Sequence, residues 1–119
     1  MVMRLKMKGY MMTIKAGEFW IAEIQYTNGA DAKKRPVLIL WLDGQDAIVA
    51  LVTSAQPRTN TDVLLNRWAE SGLRLASTVR LSRLDCLEQS LFTKKIGQLS
   101  ETDATQLKKV WSEFIELQF

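Results

Sequence analysis

Arg35 and Thr53 are the residues of this 119-residue chain best suited to phosphate chemistry. A guanidinium beside a hydroxyl can bind a phosphate through several donors and steady the charge that builds on it during transfer. Arg35 precedes the apolar run of residues 36–42 and Thr53 follows the run of residues 47–52, with the turn-like Asp43-Gly44-Gln45-Asp46 between them. That pattern predicts a buried hairpin. If the turn closes with a two-residue loop, counting back sets Arg35 beside Ser54 and Pro36 beside Thr53. A slip of one residue sets Arg35 directly across from Thr53. Either register brings Arg35, Thr53 and Ser54 to one end of the hairpin. Taken alone, an arginine at a strand start and a threonine at a strand end are also ordinary solvated edge residues.

The rest of the composition narrows the chemistry. Histidine is absent, which removes the usual general base, zinc ligand and triad member. Cys86 is the only cysteine, so neither an intrachain disulfide nor a cysteine-based metal framework is available, and a reducing, cytoplasmic location fits. Lying between Leu84 and Leu87, Cys86 is expected to be a small buried hydrophobe rather than a nucleophile. RNA, however, carries its own nucleophile in the 2′-hydroxyl. An enzyme that positions that hydroxyl and stabilises the phosphorane needs no metal, cofactor or covalent intermediate, so a histidine-free protein qualifies. The excess of 16 Lys+Arg over 13 Asp+Glu is compatible with an anionic partner but is no polybasic tail.

Strands must position these residues. Glu18 to Gln25 alternates around Trp20, Ala22 and Ile24 and predicts a first strand, with Thr27, Asn28 and Gly29 ending it. Asp62 to Leu65 reads as a short strand, Asn66 to Gly72 as a loop, Leu75 to Leu84 as a longer strand, and Phe92 to Gly97 as another. Ser100-Glu101-Thr102-Asp103 has the N-cap serine and early acids of a helix start. Leu107, Val110, Trp111, Phe114 and Leu117 then form one apolar stripe at helical spacing. The sum is a mainly β protein with a C-terminal helix. Residues 1–15 are expected to be a disordered or misassigned N-terminal extension, and residues 16–119 a single domain. No apolar run approaches the about 20 residues that span a bilayer, so a soluble protein is expected.

Lys33, Lys34, Arg58 and Arg67 fall in loops near the proposed site and are candidates to follow a nucleic-acid backbone. Trp68, in a polar loop, is a candidate to stack on a base, with core packing as the alternative. Trp20, Trp41 and Trp111 lie in strand or helix patterns and are expected in the core.

The segments Gly17-Glu18-Phe19-Trp20, Lys34-Arg35-Pro36-Val37-Leu38, Val52-Thr53-Ser54, Gly72-Leu73 and Ile96-Gly97-Gln98-Leu99-Ser100 occur in the order typical of PemK/MazF toxins. The chain resembles that family from about Gly17 to Leu117. The resemblance implies an SH3-like barrel of the PemK/MazF and CcdB toxin type, a homodimer, a cognate antitoxin, and cleavage of single-stranded RNA to a cyclic phosphate and a 5′-hydroxyl. It implies that Arg35 stabilises the transition state and protonates the leaving oxygen, while Thr53 orients the phosphate or assists removal of the 2′-hydroxyl proton. Unperturbed threonine is a very poor base and arginine a very weak acid, so electrostatic stabilisation is the role that physics favours. Some relatives carry a glutamate in the loop before the Arg-Pro pair; Asp31 is the residue that would stand in for it here. Trp41 replaces a small polar residue of many relatives, a change expected to bear on the RNA groove. Two other readings share the fold: a CcdB-like toxin that inhibits gyrase by binding, and an inactive RNA-binding descendant.

Overall fold

A computed structural model describes residues 3–7, 10–24 and 33–119. In chain order the elements are β1 (Met3–Met7), β2 (Tyr10–Ile14), β3 (Glu18–Ile24), β4 (Lys33–Asp43), β5 (Asp46–Thr53), β6 (Asp62–Leu64), β7 (Thr78–Glu88), a single 3-10 turn (Gln89–Leu91), β8 (Phe92–Gln98) and α1 (Glu101–Phe114). β6-β7-β5-β4-β3-β8 form one six-stranded sheet with antiparallel pairing throughout, and β1 and β2 form a separate antiparallel pair. This mostly-β, antiparallel fold with one C-terminal helix is the predicted class.

The central strands are apolar on both sides because each face of the sheet has its own core. Successive strand residues point to opposite faces. Trp20, Val37 and Val49 therefore join one cluster with Ile14, Ala22, Ile39 and Phe92, while their neighbours Phe19, Leu38 and Ala50 join a second with Val52, Val79 and Leu81. Trp20 meets Phe92 edge to face at 6.1 Å and 82°, worth about 1 kcal/mol beyond its area burial. Leu107 and Val110 bring α1 onto the second face.

The helix starts as predicted. Ser100 is its N-cap, with extended backbone at φ −72° and ψ 158°, and its hydroxyl accepts the Asp103 N–H at 3.1 Å. It ends sooner than the apolar stripe suggests. Ile115 leaves helical geometry to pack against the second cluster, so the stripe stops there and Leu117 stands 78% exposed.

Other departures have equally local causes. Within residues 1–15, expected to lack structure, β1 and β2 pair with Met3 opposite Ile14, Leu5 opposite Met12 and Met7 opposite Tyr10. β7 runs from Thr78 rather than Leu75 and continues to Glu88, so Cys86 lies inside the strand. Because Leu87 points into the first cluster, Cys86 points outward and is exposed, not the buried hydrophobe expected. Trp41, expected in the core, is 43% exposed and meets Trp111 edge to face at 5.9 Å in a shallow groove beside α1. Trp20 is buried as expected, and Trp68 packs partly buried on the second cluster. Among the described residues no helix is long and apolar enough to cross a membrane.

Candidate functional site

The hairpin closes as first counted, with Asp43 opposite Asp46, and then changes register. Trp41 pairs with Ile48, but Ile39 pairs with Val49, which leaves Leu40 as an extra residue in β4. From there the ladder runs to Val37 opposite Leu51. Continued by two residues, this register brings Arg35 level with Thr53, the slipped alternative of the two counts. One bulge thereby decides which residue faces which.

Arg35, Thr53 and Ser54 line a single groove of about 600 Å³, together with Ile21, Pro36, Val52, the segment Gly72-Leu73-Arg74-Leu75, Ser77 and Lys94-Lys95-Ile96. Among the described residues the lining contains four basic side chains, Arg35, Arg74, Lys94 and Lys95, and no acidic one, so it attracts an anion. Its apolar residues supply surface on which the less polar part of such a ligand can rest. Thr53 Oγ1 accepts the N–H of Ala55 at 3.2 Å. Donation into that oxygen reduces its basicity and leaves the hydroxyl hydrogen to be given to a ligand.

Two glycines from separate motifs set how closely the loop that lines the groove approaches β8. Gly72 sits at φ +91°, and a Cβ there would lie 2.5 Å from the Ile96 carbonyl oxygen. A Cβ on Gly97 would run into the Ser71 carbonyl oxygen. The loop from Asn66 therefore lies directly on β8. Gly97→Ala should force these backbones apart, at a cost of about 2 kcal/mol in stability with a distorted groove, measurable as a lower melting temperature and weaker oligonucleotide binding.

Glu18 anchors the β8 wall. Its Oε1 accepts from the Lys15 N–H at 2.9 Å and from Trp20 Nε1 at 3.0 Å, and its Oε2 pairs with Lys95 Nζ at 2.8 Å. Burial pushes the Glu18 pKa up, but the bonds from Lys95, Trp20 and Lys15 together outweigh it and hold the carboxyl below its ordinary 4.5. A lowered folded-state pKa contributes stability that is present above the unfolded value and lost as pH falls through the folded one. Stability should therefore drop as pH goes below about 4.5, and Glu18→Gln should flatten that part of the curve in denaturant titrations. Asp62 behaves alike: burial raises its pKa, and the Arg58 N–H with the Arg80 guanidinium more than reverses this.

The other predicted contacts do not gather here. Lys33 and Lys34 are exposed at the start of β4 and do not line the groove. Arg58 lies outside it, its backbone N–H bound to Asp62 at 2.9 Å. Arg67 pairs with Glu70 at 3.2 Å on the surface, and Trp68 serves packing. Trp41 is on the other groove, so its substitution does not touch this one. Asp31 lies outside the described residues. Conversely Arg74, Lys94 and Lys95 escaped sequence reasoning, although each adjoins a motif segment: Arg74 follows Gly72-Leu73, and Lys94-Lys95 precede Ile96-Gly97.

Residues 15–115 match the family model described as PemK-like, MazF-like toxin of type II toxin-antitoxin system. Among solved structures, the Mycobacterium tuberculosis toxin MazF-mt6 is similar with a TM-score of 0.64 and 23% identity over 78% of this chain and 90% of that one. An endoribonuclease in complex with its cognate antitoxin, from a mycobacterial species, gives a TM-score of 0.66 and 13% identity over 82% and 89%. The MazE-MazF structure from Deinococcus radiodurans gives 0.58 and 19% over 83% and 92%. At these identities the likeness concerns the fold. A search of curated proteins finds no significant match.

Proposed function

Because the chain belongs to the PemK-like, MazF-like toxin family of type II toxin-antitoxin systems, we propose that it acts as a metal-independent endoribonuclease on single-stranded RNA. The observation that supports this reading is the meeting of Arg35 and Thr53 in one groove whose lining, among the described residues, is basic and free of acids.

A phosphodiester seated there would have its non-bridging oxygens facing the Arg35 guanidinium and the Thr53 hydroxyl. The RNA 2′-oxygen forms a new bond to phosphorus and the bond to the 5′-oxygen breaks, giving a 2′,3′-cyclic phosphate. The 2′-hydroxyl loses its proton and the departing 5′-oxygen gains one. Negative charge on the phosphorane oxygens peaks between these events, and donors fixed in advance stabilise that state more than the ground state. No carboxylate lines the groove among the described residues, so Asp31 is retained as the proposed supporting acid or base, with Ser54 as a further donor. Thr53 acts as a phosphate donor rather than a base, in keeping with its bond from Ala55.

Solved relatives include an endoribonuclease bound to its cognate antitoxin and a MazE-MazF complex. We extend both properties to this chain as a cognate antitoxin partner and, from the family, a homodimeric state. The test is incubation of purified, antitoxin-free protein with a long single-stranded RNA in excess EDTA, with product ends mapped. Defined cuts leaving 5′-hydroxyl ends support the proposal. Intact RNA across several varied substrates would instead move the assignment to a toxin or regulator that binds without cutting.

A further inference from the structure

The four basic side chains of the groove are not equivalent. Lys95 is engaged by Glu18, itself buried and bonded from Lys15 and Trp20. Arg35 belongs with Thr53. Arg74 and Lys94 are exposed and, among the described residues, form no ion pair. Among the described residues, no ion pair uses their charge.

We propose that Arg74 and Lys94 hold a second phosphate of the same RNA strand, flanking the one at Arg35. This rests on the ribonuclease reading above. The groove, at about 600 Å³, is the size of a site for a ligand far larger than one phosphate. Lys94 is opposite Ile21 in β3, which is opposite Pro36 in β4, the neighbour of Arg35. Two inter-strand spacings, about 10 Å, therefore separate its backbone from that of Pro36. A strand with one phosphate at Arg35 and its path across β3 carries the next toward β8.

Arg74 is fixed from the other side. Its loop is pressed onto β8 at Gly72 and Gly97, and the Leu73 N–H bonds to the Trp68 carbonyl oxygen at 3.1 Å. The loop is therefore in place before RNA arrives, so little ordering opposes binding. Apolar Leu73 and Ile96 share the lining with the two cations and offer surface on which a base or ribose can rest while the charges take the backbone.

The test is binding of a mixed-sequence 2′-O-methyl RNA of about 12 nucleotides, uncleavable because its nucleophile is blocked, across a salt series. Arg74→Ala and Lys94→Ala should each make the plot of log affinity against log salt shallower, and the double variant should do so by about 0.7, the contribution of the one single-strand phosphate they hold. Each should weaken binding about tenfold at fixed low salt. Arg67→Ala removes the same charge outside the groove and should leave the slope as in wild type. In cleavage, the two groove variants should raise KM with kcat kept within about twofold.

Wild-type binding that depends on salt, with slopes unchanged in both variants, would overturn the flanking-phosphate proposal and leave the ribonuclease reading standing. A loss of kcat at unchanged KM would also overturn it, by placing these residues at the scissile phosphate. Absence of salt-dependent binding by wild type would remove the ribonuclease reading itself and this proposal with it.

Discussion

Replacing Arg35 by alanine should slow RNA cleavage about a hundred- to a thousandfold while leaving the fold intact, since loss of one preorganised donor to a developing oxyanion costs about 3–4 kcal/mol of activation free energy. The loss should appear in kcat, because the guanidinium meets its greatest charge only at the phosphorane. Arg35 is exposed at the start of β4, so the melting temperature should hardly move. Arg35→Lys keeps the charge but not the planar fork, and should recover only part of the rate. Thr53→Ala should cost less than Arg35→Ala, as a neutral hydroxyl donor contributes less than a charged one. Single-turnover kinetics with saturating protein would read all three. Full activity in Arg35→Ala would detach this groove from the chemistry.

The largest stability loss should come from Asp103→Ala, a residue remote from any reacting atom. Asp103 has no exposed surface, and its two carboxylate oxygens accept the backbone N–H groups of Asn66 at 2.8 Å and Arg67 at 2.9 Å. The first turn of α1 is thus bolted to the loop that continues to Gly72 and Arg74. Alanine would leave two backbone donors without partners and a cavity beside them, a cost of about 3 kcal/mol. For a domain of this size that lowers the melting temperature by about 10 °C or more. Asp103→Asn keeps one carbonyl acceptor and should lose less. Because the loop forms one wall of the groove, oligonucleotide binding should weaken in Asp103→Ala even at temperatures where the protein stays folded. Equal melting of wild type and variant would show that the bond pair contributes nothing net.

Much of the fold is legible in the sequence wherever a local rule governs it. The Asp43–Asp46 turn, the β4 and β5 runs and the Ser100 cap follow from residue type and spacing within a few positions. The N-terminal pair is hard to read because its alternation is carried by methionine, arginine and lysine, none of them a strong strand former. β7 was misplaced because its far half is exposed on one face and offers only Leu87 as a buried residue.

The candidate site divides along the same line. Sequence alone determined that chemistry here must dispense with histidine and cysteine clusters, and that Arg35 and Thr53 share one end of a hairpin, since a short turn constrains its flanking strands directly. Tertiary structure decided the rest. A bulge at Leu40 selects the register, loop and strand meet at two glycines far apart in the chain, and Glu18 engages Lys95 while Arg74 and Lys94 stay unpaired among the described residues. The glycine contact and the Glu18–Lys95 pair depend on segments many residues apart, whose distances no local propensity encodes.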